Sequence, residues 1–118
     1  MSTRKKTYVN FFVPITLKSV QQLFNIVQNK LKSGTETFTI LISSPGGQVG
    51  PGITAYNFLK GIPAEVVTHN TGQVDSIGVV IYCAGSKRYC SPNSRFLIHG
   101  IGFDAREGQR FNEGILAE

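Results

Sequence analysis

The segment Thr37-Phe38-Thr39-Ile40-Leu41-Ile42 constrains this chain more than any other. It ends in three successive apolar residues and runs straight into Ser43-Ser44-Pro45-Gly46-Gly47, which breaks any regular element. So short and so apolar a run is expected to be a strand buried on both faces, and strands of that kind belong to parallel sheets covered by helices. The neighbouring pattern agrees. Tyr8 to Val13 is aromatic and β-branched, a strand. Thr16 caps a helix over 17–32, with Leu17, Val20, Phe24, Val27 and Leu31 on one face, Lys30 and Lys32 in the last turn and Gly34 as the stop. A second helix is predicted from Gly52 to Lys60 with Ile53, Tyr56 and Leu59 inward, then a strand over 64–68 and an apolar helix over Ser76–Ala84. Short strands at Arg88–Cys90 and Arg95–His99 flank a turn at Ser91-Pro92-Asn93-Ser94. Strands and helices alternate, so the expected class is α/β with a mostly parallel sheet.

Size bounds what such a sheet can serve. The 118 residues, 41% of them apolar, predict one domain over 1–118 with a basic tail at 1–7. No stretch approaches the roughly 20 apolar residues that span a bilayer. Pro14 interrupts the first apolar run before a signal-like cleavage site, so the reading is cytoplasmic with no membrane role. Cys83 and Cys90 fit neither a zinc pattern nor a disulfide framework and are expected to be reduced, packed thiols. The net charge of +5 falls at helix ends and turns rather than in a stripe with interleaved aromatics, which argues for solvated charge and against nucleic acid.

Three places carry residues able to do chemistry. In Ser44-Pro45-Gly46-Gly47 the glycine pair permits close backbone approach; a plain strand-to-helix turn explains it equally. Gly50-Pro51-Gly52-Ile53-Thr54-Ala55 fits G-x-G-x-x-A, yet the following strand ends in Thr68-His69-Asn70 instead of a ribose-binding acid. In Gly72-Gln73-Val74-Asp75-Ser76-Ile77-Gly78 a serine opens an apolar helix, where free N–H groups favour an oxyanion. An N-cap serine is the plain alternative, and Val74 replaces the first glycine of G-x-S-x-G. His99 ends an apolar strand before a glycine-rich stretch, placed either to exchange protons at a cleft or to serve structure; His69 has no evident partner and reads as structural.

Taken in order, Ile40-Leu41-Ile42-Ser43-Ser44-Pro45-Gly46-Gly47, Ala55-Tyr56, Asp75-Ser76-Ile77-Gly78 and Ser91-Pro92-Asn93-Ser94-Arg95-Phe96-Leu97-Ile98-His99 resemble the proteolytic subunit of Clp protease (ClpP), from about Val9 to His99. The resemblance implies a ClpP/crotonase-like fold of β-β-α spiral turns and a serine endopeptidase that needs no metal or cofactor. By matching position, Ser76 is the nucleophile, His99 the general base, and the backbone N–H groups of Gly47 and Ile77 hold the oxyanion. The resemblance also implies that Gln48–Gly50 is part of the edge on which a substrate peptide would pair as an added strand. A homo-oligomeric ring, peptide or unfolded-protein substrates and an ATPase unfoldase partner are implied with it.

Departures from the family are equally specific. Its triad aspartate lies past a further helix, and only 19 residues follow His99, so the triad acid is unknown. The ring-joining handle is absent or only begun at 108–118, which suggests a truncated relative. Asp75 stands where the family has a small residue; next to the nucleophile it is a poor orienter for His99, and its plain role is N-terminal helix charge. An alternative is therefore a non-catalytic assembly subunit or remnant lacking the triad acid. A crotonase-type acyl-CoA enzyme, which needs neither Ser76 nor His99, ranks last.

Overall fold

The computed structural model describes residues 4–98. Along them run β1 (Lys6–Phe11), α1 (Leu17–Lys32), β2 (Thr37–Ser44), α2 (Val49–Gly61), β3 (Glu65–Asp75), α3 (Gly78–Tyr82), β4 (Lys87–Cys90) and β5 (Arg95–Leu97). The sheet order is β1-β2-β3-β4, with β5 also on β3, and every pairing is parallel. The α/β expectation holds.

The start of α1 is fixed locally. Thr16 is extended, its hydroxyl accepts from the Ser19 N–H at 3.0 Å, and Ser19 Oγ accepts from the Thr16 N–H at 2.9 Å. This reciprocal capping box satisfies two donors that a helix start leaves open. The buried stripe is Ser19, Val20, Leu23 and Val27. Leu17, expected inward, is 71% exposed because Ser19 takes the inward place in the first turn. Phe24 stacks on Phe58 of α2 with ring centroids 4.0 Å apart.

Val20, Leu23 and Val27 of α1, Ala55 and Leu59 of α2 and Ile81 of α3 meet Val9, Phe11, Phe38, Ile40, Ile42 and Val66 of the sheet in one core. Burying each such larger side chain stabilises by about 1.5–3 kcal/mol. The opposite face is different. Along β2 buried and half-buried residues alternate, and an open groove of about 360 Å³ lies over Lys6, Tyr8, Thr39, Val67 and Tyr89. Burial of β2 on both faces is thus corrected: among the described residues, helices cover one face.

Several boundaries shift. β1 begins at Lys6, inside the expected tail, and ends at Phe11. α2 begins at Val49, which places Gly50–Ala55 in a helix rather than a nucleotide loop. Pro51 is tolerated in that first turn, where its missing N–H has no partner to lose. Gly52 presses on Ile77: a Cβ there would lie 2.5 Å from Ile77 Cγ1. Ile53, expected inward, is half exposed, while Ala55 and Leu59 are buried. Cys83 and Cys90 are free but exposed, not packed. No helix among the described residues is long and apolar enough to cross a membrane.

β3 departs furthest from expectation, running eleven residues through Thr68-His69-Asn70-Thr71-Gly72. Its outer edge is shared: β4 pairs with Val67–Asn70, the Ser91–Ser94 turn intervenes, and β5 pairs with Gln73–Asp75. Fully buried Asn70 closes this jog. Its Nδ2 donates to the Arg95 carbonyl at 2.8 Å, its Oδ1 accepts from the Gly72 N–H at 3.0 Å, and its carbonyl accepts from the Ser91 N–H at 2.9 Å. A buried amide so satisfied lets a polar stretch remain a strand.

Candidate active site

β3 extends to Asp75, and the chain then reverses at Ser76 before α3 begins at Gly78. Ser76 has φ 57°, the left-handed region, and among the described residues it is the non-glycine residue with positive φ. Holding a serine there costs of order 1–3 kcal/mol and requires surroundings that enforce it. Two contacts do so. The Ser76 N–H donates to the Leu97 carbonyl of β5 at 2.8 Å. Gly46 packs against the turn so closely that a Cβ on it would lie 2.9 Å from the Asp75 carbonyl oxygen and 3.0 Å from Ser76 Cβ.

This geometry replaces the N-cap reading. Ile77, not Ser76, occupies the N-cap position, and α3 is five residues long. With so short a helix, local donors rather than a long helix's dipole are what the site offers an anion. Ser76 itself is half-buried, and among the described residues its hydroxyl has no hydrogen-bond partner. A serine at positive φ thus joins the end of β3 to the start of α3, without the first glycine of G-x-S-x-G.

The glycine pair comes to the same place from β2. Gly46 (φ 98°) and Gly47 (φ 153°) adopt backbone that side chains disfavour. The Ile15 N–H donates to the Gly46 carbonyl and the Gln48 N–H to the Ile15 carbonyl, both at 2.8 Å. These bonds lay Gly47 against Ile15 in a parallel bridge, with no room for a Cβ. Among the described residues the N–H groups of Gly47 and Ile77 have no acceptor. The extended edge is shorter than expected: Gln48 is extended, while Val49 and Gly50 already belong to α2.

His99 lies outside the described residues, as do the candidate acids that follow it. His69 does have a partner: its Nε2 and Ser91 Oγ are 3.0 Å apart, beside the ring of Tyr89. Burial raises the Tyr82 phenol above its ordinary value, with Cys90 adding to the shift; its hydroxyl donates to the Tyr89 carbonyl at 2.8 Å. Asp75 is not a helix-start charge. It is 5% exposed at the end of β3, with Oδ2 accepting from Arg95 Nη2 at 3.1 Å. Sequence reasoning overlooked this pair because it began the helix at Ser76; the signal was the single acid next to the serine, with an arginine twenty residues on.

The Clp protease family model matches residues 6–108. The ATP-dependent Clp protease proteolytic subunit of Paracoccus denitrificans is 39% identical over 95 residues, which cover 75% of this chain and 48% of that protein. Proteolytic subunit 3 of Rhizobium johnstonii is 33% identical over 124 residues, covering 94% of this chain and 64% of its own length. ClpP1 from Listeria monocytogenes superposes with a TM-score of 0.75 at 30% identity, over 78% of this chain and 55% of that one. The ClpP protease catalytic domain from Plasmodium falciparum gives 0.74 at 26% identity, over 78% and 54%. The chain thus spans between about half and two thirds of these proteins. With the fold, the strained serine and the matched residues agreeing, the chain belongs to the Clp protease family.

Proposed function

We propose that this chain is the catalytic core of a serine endopeptidase acting on peptides or unfolded proteins. The observation that carries the reading is Ser76 held at φ 57° between β3 and α3, with an unpartnered hydroxyl among the described residues. A residue kept at that conformational cost at a strand end is expected to act there. In the proposed reaction Ser76 Oγ attacks the scissile carbonyl carbon while its proton passes to His99. The carbonyl oxygen becomes an oxyanion held by the N–H groups of Gly47 and Ile77. Collapse expels the amine, which takes the proton from His99, and water then hydrolyses the acyl-serine with His99 again as base.

Among the described residues the N–H groups of Gly47 and Ile77 have no acceptor, which supports this assignment. Loss of one such donor typically costs about 2.7–4 kcal/mol in the transition state. The acid that would orient His99 is unassigned, whether in this chain or in a neighbouring subunit. The relatives named above are proteolytic subunits of ATP-dependent Clp proteases, which supports a cytoplasmic ring of copies served by an ATPase unfoldase.

A fluorophosphonate probe tests the reading on the full chain. Wild-type protein is expected to form a phosphonyl-serine at Ser76 with loss of fluoride, and Ser76→Ala to remain unlabelled. A folded wild-type protein that does not react would replace the peptidase with the assembly-subunit reading.

A further inference from the structure

β5 is held by polar bonds together with one aromatic contact, the ring of Phe96 standing edge-on to Tyr82 with centroids 5.0 Å apart. All three of its residues are exposed, and among the described residues it pairs with Gln73–Asp75 of β3. Beyond that ladder, Arg95 Nη2 donates to Gln73 Oε1 and to Asp75 Oδ2, both at 3.1 Å, and Asn70 Nδ2 donates to the Arg95 carbonyl. β5 in turn holds the strained serine, because the Leu97 carbonyl accepts the Ser76 N–H.

Asp75 is the unusual member of this group. Its side chain is 7% exposed, and Oδ1 is wholly buried with no partner among the described residues. A carboxylate in such a place is tolerated when a cation compensates it, and among the described residues Arg95, its side chain 63% exposed, is the cation that reaches it. We propose that the Asp75–Arg95 pair is a clamp that fixes β5 in register against the end of β3 and so holds Ser76 in its left-handed turn. Asp75 and Arg95 are positioning residues. They act on the hydroxyl through the β5 carbonyl, and the inference rests on the peptidase reading of Ser76. With the clamp intact, β5 keeps the register that pairs Asp75 with Leu97. A slip of one residue would turn each side chain to the other face and take the Leu97 carbonyl from the Ser76 N–H. Removing Arg95 alone leaves a buried charge uncompensated beside the serine. Removing both charges does not, so the single and double variants should differ in a way that simple loss of a contact would not produce.

Two readouts on the full chain test this. The first is the rate of Ser76 labelling by a fluorophosphonate; the second is hydrogen exchange at the Ser76 and Leu97 amides, with α1 as internal control. Arg95→Gln is expected to slow labelling about tenfold or more and to release the Ser76 amide while α1 stays protected. Arg95→Lys, which keeps the charge, should recover most of the rate, and the Asp75→Asn/Arg95→Gln double variant should label faster than Arg95→Gln. If wild type labels and Arg95→Gln labels equally fast with an equally protected Ser76 amide, the clamp is overturned. Should Arg95→Gln unfold, the comparison of Arg95→Lys and the double variant with wild type decides: a double variant no better folded than Arg95→Gln overturns the clamp. Wild type that never labels overturns the peptidase reading instead, and exchange at the Ser76 amide still judges the clamp.

Discussion

At the scale of single residues the site is a problem of backbone shape. Ser76 occupies a conformation that glycine adopts freely. Ser76→Gly is therefore expected to be more stable than Ser76→Ala by about 1 kcal/mol, with both unlabelled; urea unfolding of the two variants checks it. Gly46 presents the converse case. A methyl group there meets the Asp75 carbonyl oxygen and Ser76 Cβ at a φ of 98°. Gly46→Ala should lower stability by about 1–3 kcal/mol and slow Ser76 labelling more than its stability loss explains, which parallel unfolding and labelling assays can separate. Much of this was legible beforehand: the serine after a glycine-containing turn and the glycine pair after a buried strand both stood out as residues. Their conformation was not, because φ at Ser76 depends on β5 and Gly46, which are distant in sequence.

At the scale of elements, local signals were read well and long-range ones poorly. α1 spans the predicted 17–32 because its capping box and final lysines are written within the segment. Thr16→Ala should cost about 1 kcal/mol, read as a lower urea midpoint with unchanged slope, since one reciprocal cap is lost. β3 shows the opposite. The strand was expected over 64–68, ending near Thr68-His69-Asn70, yet it runs on to Asp75 because Asn70 closes the jog between β4 and β5. That mistake moved the helix start to Ser76 and hid the Asp75–Arg95 pair. Ile53 and Leu17 were assigned inward for a related reason: helical spacing identifies a face but not which shoulder of it meets the sheet.

At the scale of the whole molecule, one parallel sheet carries its described helices on one side and leaves Tyr8 and Tyr89 exposed on the other. Parallel sheets are almost always covered on both faces. The proposed ring predicts self-association, so sedimentation should show a multimer whose share grows with concentration; a monomer at every concentration would remove the ring while leaving the labelling chemistry to stand. The turn at Ser76 also bears on how such a chain would change over generations. A lineage released from hydrolysis would gain by exchanging this serine for glycine, or for asparagine, which also tolerates the left-handed region. Drift at position 76 should then run toward those two residues before it runs toward alanine, so the identity of the amino acid at this one turn would record whether chemistry was still under selection.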